Sequence, residues 1–231
     1  VNATSDSSTI TVSWSPLFNS TTWQITLSDG ITNNNPQNAN TYIDTVVSST
    51  SVTFDNLNGN TEYHYVIRTI CGDGDTSEAT YGTVRTLCST IPHADLPYSY
   101  GFEDEDGAGL CWTGYASSSL YDPHMSYGTA HSGSSYYSMS SSATDYSYVT
   151  LPIFQDSPSS LTVSLWMRSA NRDGIARIAV GVMEDPTDIN TFTAVETIEY
   201  GSTAMEFFEV PLTDYNGTGR HIALLCDSGV A

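Results

Sequence analysis

The chain has 231 residues, a formal net charge of −20, 39% apolar residues and only 14% charged ones. That length allows two domains of about 90 to 140 residues, each burying its own core. All six basic residues are arginine, and binding to phosphate backbones or anionic lipid depends on neutralising their charge with Lys and Arg, so nucleic acid and anionic membrane surfaces are poor candidate partners.

No apolar run approaches the roughly 18 residues that a spanning helix needs, so no membrane insertion is expected. The chain opens on Val1 without a charged-then-apolar leader, as expected of a protein whose signal peptide has been removed or of an excised piece. Cys71, Cys88, Cys111 and Cys226 lack the tight spacing of a zinc site, and their even number suits disulfides in a secreted or cell-surface protein. About three connectivities are open. Two cysteines in each half favour Cys71 with Cys88 and Cys111 with Cys226, although free buried thiols would also fit the second pair.

The first domain is expected over residues 1–88. From Thr9 the sequence alternates, with Ile10, Val12 and Trp14 on one side and hydroxyl residues on the other, the pattern of a half-buried antiparallel strand. Trp23, Ile25 and Leu27 repeat the period before the turn Asp29-Gly30, and an Asn-rich loop spans Thr32 to Asn40. Val52 and Phe54, then Tyr63, Tyr65 and Ile67, give two further strands, and Thr83 to Thr86 closes the sheet. Short strands at this spacing with an early tryptophan and no helical period predict a β-sandwich.

The stretch from Leu57 to Ile67, with leucine six residues ahead of Tyr63, resembles the fibronectin type III signature, and Trp14 matches its second-strand tryptophan. The resemblance implies an immunoglobulin-like sandwich acting as a spacer or docking module. No Arg-Gly-Asp tripeptide is present, so integrin-type recognition has no support. Residues 89–97, STIPHADLP, contain two prolines and read as a short, stiff, extended linker.

The second domain is expected over residues 98–231. It opens with YSYGFEDEDGAGLCW, in which four carboxylates, Glu103 to Asp106, follow Phe102. Such a cluster is either a solvated acidic turn or half of a site for a hard cation, which takes carboxylate and carbonyl oxygens. The turn at Ala130 to Ser135 could complete a calcium site, giving Glu103, Asp104, Asp106, His131 and Ser134 as candidate ligands. Thr113 to Gly133 lacks alternation and reads as loops, whereas strands are predicted near Phe102 and over 136–139, 146–154, 161–168, 175–183, 194–198, 205–210 and 221–225. That count suits a jelly-roll sandwich.

This half resembles the choice-of-anchor or cleaved-adhesin jelly rolls of bacterial secreted surface proteins, relatives of MAM domains and of several carbohydrate-binding modules. Gly101-Phe102-Glu103 with Cys111-Trp112, His131-Ser-Gly133, Leu161 to Trp166, Val180 to Asp188 and Tyr215-Asn-Gly217 carry the match. The resemblance implies one structural calcium ion, and it expects a last, acid-rich strand after Cys226 that the sequence ending at Ala231 would lack.

Trp166 shares its strand face with Thr162, Ser164 and Arg168, opposite Leu161, Val163, Leu165 and Met167. An aromatic plate beside a guanidinium and hydroxyls is what sugar binding requires, unless loops cover this face and bury the ring. Tyr115, Tyr121, His124 and Tyr127 form a second candidate surface at the end of the sandwich. No nucleophile elbow, phosphate loop or metalloprotease helix occurs, and adjacent carboxylates on one turn cannot straddle a glycosidic bond. The expectation is therefore an extracellular, monomeric, non-catalytic module for adhesion or glycan binding, directed at a glycan or a cell-surface glycoprotein. The alternative is a structural spacer or accessory region of a secreted hydrolase.

Overall fold

A computed structural model describes residues 1–16, 20–30, 41–71, 75–103, 111–170 and 175–228. The described residues are all-β, with helical geometry confined to three-residue 3-10 turns. They divide into two compact units, Val1–Ser89 and Thr90–Ala231.

The first unit comprises β1 (Asn2–Ser5), β2 (Ile10–Ser13), β3 (Trp23–Ser28), β4 (Tyr42–Val47), β5 (Ser51–Phe54), β6 (Glu62–Thr69) and β7 (Thr80–Arg85). These form two antiparallel sheets, ordered β1-β2-β5 and β4-β3-β6-β7. The period-2 alternation sends Ile10, Val12 and Phe54 from one sheet against Trp23, Ile25, Leu27, Tyr63, Tyr65 and Ile67 from the other, with Leu57 sealing one end. At Leu57 to Tyr63 the chain turns sharply, and the Tyr63 hydroxyl reaches back to accept a hydrogen bond from the Asn58 amide at 3.0 Å. This is the tyrosine corner of immunoglobulin-like sandwiches. Trp14, just past β2, packs edge-on against Trp23 with ring centroids 5.7 Å apart. Strands β1 and β4 were not expected: β1 has only Ala3 as an apolar contact, and pairing with β2 defines it. The expected Asn-rich loop lies outside the described residues.

The second unit comprises β8 (Thr113–Ala116), β9 (His124–Tyr127), β10 (Ser135–Ser138), β11 (Ser147–Thr150), β12 (Thr162–Met167), β13 (Ala176–Met183), β14 (Phe192–Tyr200), β15 (Glu206–Pro211) and β16 (His221–Cys226). A five-stranded sheet, β14-β13-β16-β11-β8, is accompanied by the pairs β12-β15 and β10-β9. The inward faces meet in one core, where Val180, Val182, Ile198 and Ile222 of the large sheet pack with Val163, Leu165, Phe208 and Val210 of β12 and β15. The unit is a sandwich of the jelly-roll kind. At the bulge between Val180 and Gly181 a side chain has no room, since a Cβ on Gly181 would lie 2.3 Å from the Thr193 carbonyl oxygen.

Several expectations are corrected here. The stretch from Thr113 to Gly133, read as loops, contains β8 and β9, whose order comes from pairing with β11 and β10 rather than from alternation of their own. No strand forms at Phe102, whose φ of 64° takes it out of extended geometry. Within the stretch expected as a stiff linker over 89–97, Ile91 bridges to Phe154, and Ile91 and Leu96 pack onto the second core.

The cysteine pairing also differs. Cys88 and Cys111 are the disulfide-bonded cysteines, and Cys71 and Cys226 are free thiols. Cys71 follows the end of β6, whereas Cys88 lies beyond Arg85, which pairs with Glu62 at the start of β6. The two thiols are thus more than about 20 Å apart at some 3.3 Å per residue, and a disulfide requires Cα atoms within about 7 Å. Cys226 is opposite Ser147, which pairs with Ala116 at the far end of β8 from Cys111, so that pair is separated in the same way.

Candidate functional site

The outward face of β12 and β15 carries the site. In their register Trp166 pairs with Phe207 and Ser164 with Glu209. Leu165 and Phe208 point into the core, so period 2 forces Trp166 and Phe207 outward. The two rings are 46% and 44% exposed and lie 5.3 Å apart at 47°. His131 stacks on Trp166 at 3.8 Å and 15°, covering one face of the indole and leaving the other to the surface. Beside it, the Arg168 guanidinium sits 5.9 Å from the centroid of Tyr136, within cation–π range. Toward the other end, Ser164 Oγ donates to Glu209 at 3.4 Å. The result is an inclined aromatic pair, Trp166 and Phe207, with a guanidinium at one end and a hydroxyl–carboxylate pair at the other.

His131 and Tyr136 belong to the β9–β10 hairpin, and Glu103 holds its turn. The Glu103 carboxylate accepts hydrogen bonds from the backbone amides of Ser134 and Ser135, both at 2.8 Å, and from the two serine hydroxyls at 3.1 and 3.3 Å. Gly133 has φ +65°, and a Cβ there would come within 2.2 Å of the carboxylate, so glycine is needed for both conformation and space. The Ser135 and Ser134 amides hold the Glu103 carboxyl below its usual range, against a smaller opposing effect of burial. Behind the turn, Phe102 packs on Tyr100, Trp112 and Tyr137 with centroids 5.0, 5.1 and 5.2 Å away. Tyr100, Phe102 and Trp112 are therefore an aromatic anchor for the hairpin.

Of the five candidate calcium ligands, Asp104 and Asp106 lie outside the described residues. Glu103 and Ser134 are joined to each other, and His131 is stacked on Trp166. Among the described residues no group of three His, Cys, Asp or Glu side chains converges as a metal site.

The second candidate surface is dispersed. Tyr115 stacks on Tyr148 at 4.9 Å and 17°, on the face of the large sheet that carries Ala179, Met183 and Leu225 and is opposite the core shared with β12 and β15. Burial, followed by the neighbouring Tyr115, pushes the Tyr148 hydroxyl up to about 12. Tyr121 is half-buried in a 3-10 turn. His124 and Tyr127 are exposed on β9. Trp166 and Arg168 thus stand together, whereas Tyr115 belongs to the other side of the sandwich. Phe207 and Tyr136 were not anticipated. Two consecutive phenylalanines inside a strand were the available signal for Phe207, because one of them must face outward.

The family model for the fibronectin type III domain matches residues 1–84. No curated protein matches the chain. Among solved structures, the fn3 domain of human collagen alpha-1(XX) chain is similar, with 23% identity, covering 41% of this chain and 89% of that one at a TM-score of 0.33. A two fibronectin type-III domain segment from chicken tenascin has 12% identity and covers 99% and 89% at 0.34. The N-terminal CBM22-1-CBM22-2 tandem domain from Paenibacillus barcinonensis Xyn10C has 11% identity and covers 96% and 71% at 0.39.

Proposed function

We propose that this chain is a non-catalytic extracellular recognition region, in which the second unit binds carbohydrate through the outward face of β12 and β15 and the fibronectin type III domain serves as its spacer. The observation that carries the reading is the exposure of Trp166 and Phe207 side by side on a rigid pair of strands. An exposed aromatic pair costs solubility and contributes little to a core. It is suited to the C–H faces of pyranose rings, with polar groups at its margins to orient the sugar. Placement on strands fixes the rings better than a loop would. The disulfide accords with an oxidising, extracellular setting.

Affinity electrophoresis of the 231-residue chain through gels containing soluble polysaccharides tests this. Wild-type protein should be retarded by at least one polysaccharide, and Trp166→Ala and Phe207→Ala should each migrate as in a sugar-free gel. Equal retardation of wild type and both variants would place any binding elsewhere.

A further inference from the structure

The polar groups around the aromatic strip are not equivalent, and their order along β12 assigns a ligand class. Arg177 is paired with Glu199 and Asp227, Arg85 with Glu62, and Arg220 donates to the carbonyls of Phe154 and Gln155. Among the described residues Arg68 and Arg168 have no carboxylate partner, and the Arg168 guanidinium lies over the Tyr136 ring. Of these two, Arg168 stands beside the exposed Trp166–Phe207 pair, where a guanidinium can meet an anionic ligand. The fork of donors on a guanidinium matches a planar carboxylate in a bidentate pair.

Arg168 also has a defined place. Residues 164, 166 and 168 recur on alternate positions, so Ser164 with Glu209, the Trp166 plate and Arg168 follow one another at about 6.6 Å intervals. The hairpin fixes both ends of this half of the strip, His131 on Trp166 and Tyr136 under Arg168. Long-range repulsion from the acidic surface is screened beyond roughly 8–10 Å at physiological salt, so the local guanidinium decides at contact.

We infer that the ligand is an acidic glycan whose carboxylated sugar, of the uronic or sialic type, pairs with Arg168, while the neighbouring ring lies on Trp166 and Phe207 and directs a hydroxyl to Glu209. The polarity of the strip sets the direction of the chain: carboxylate toward Arg168, hydroxyl donor toward Glu209. This deepens the carbohydrate reading and rests on it.

The test uses the full chain on immobilised uronic-acid and sialylated oligosaccharides, each printed beside its carboxyl-reduced or desialylated neutral counterpart. Wild type should prefer the acidic member at least tenfold. Arg168→Gln should lose that preference while still binding neutral sugars, and Arg168→Lys should recover only part of it. Trp166→Ala should lose both. Preference for the neutral members, or an unchanged preference in Arg168→Gln, would overturn the acidic-ligand assignment while leaving carbohydrate binding intact. Absence of binding to every member would overturn both.

Discussion

Removal of one oxygen atom from the corner of the first unit should be visible in its unfolding. Tyr63 is fully buried, and its hydroxyl accepts the Asn58 amide at 3.0 Å. Tyr63→Phe keeps the ring and its packing, so the change isolates that hydrogen bond. A net intramolecular hydrogen bond contributes about 1 kcal/mol, rising toward about 2 kcal/mol when its loss leaves a shielded amide without a partner. A domain the size of Val1–Ser89 shifts by about 4–8 °C per kcal/mol, so its transition should fall by about 4–16 °C. Differential scanning calorimetry should show two transitions in the wild type, with only the one belonging to the first unit moving in the variant. A shift below about 2 °C, or an equal shift of both transitions, would refute the assignment of Tyr63 as the corner of an independently folded unit.

Two further outcomes are expected. The Glu103 carboxyl, held below its usual 4.5 chiefly by the amides of Ser135 and Ser134, stabilises the hairpin at pH values above the unfolded-state value, and this stability is lost as pH falls through the folded value. Glu103→Gln should therefore lower the second transition near neutral pH, and the two melting curves should converge as acidification protonates the Glu103 carboxyl; parallel curves at all pH values would contradict this role. Thiol counting should detect Cys71 in the native protein and Cys226 only after denaturation without reductant, because Cys226 is buried and burial pushes its thiol up. Fast modification of both, or of neither, would contradict the cysteine arrangement.

Much of the first unit was legible because its signals are local. The alternation of Ile10 with Val12, the Trp23 run and the spacing of Leu57 to Tyr63 each lie within a few residues and specify strands and corner directly. The second unit was less legible because some of its elements exist only through partners distant in sequence. Thr113–Ala116 has no periodicity of its own and becomes a strand by pairing with Ser147–Thr150. The separation of the expected cysteine partners follows from sheet register, which spacing does not encode.

The site divides along the same line. Parity along β12 placed Trp166 outward with Ser164 and Arg168. The stacking of His131 and the support from Tyr136 depend on where the hairpin docks, which no local pattern states. Glu103 lies against the Ser134 turn that the sequence set beside it, and there it accepts hydrogen bonds from the amides of Ser134 and Ser135.

Contact between Trp166 and a bound sugar should register in the fluorescence of the indole itself. Trp166 is half exposed whereas Trp23 is buried in the other unit. Titration with an oligosaccharide that the protein binds should shift and saturate the tryptophan emission, and Trp166→Phe should abolish that change while both unfolding transitions persist. An emission change of the same size in Trp166→Phe, or binding detected calorimetrically without any change in wild type, would contradict the account.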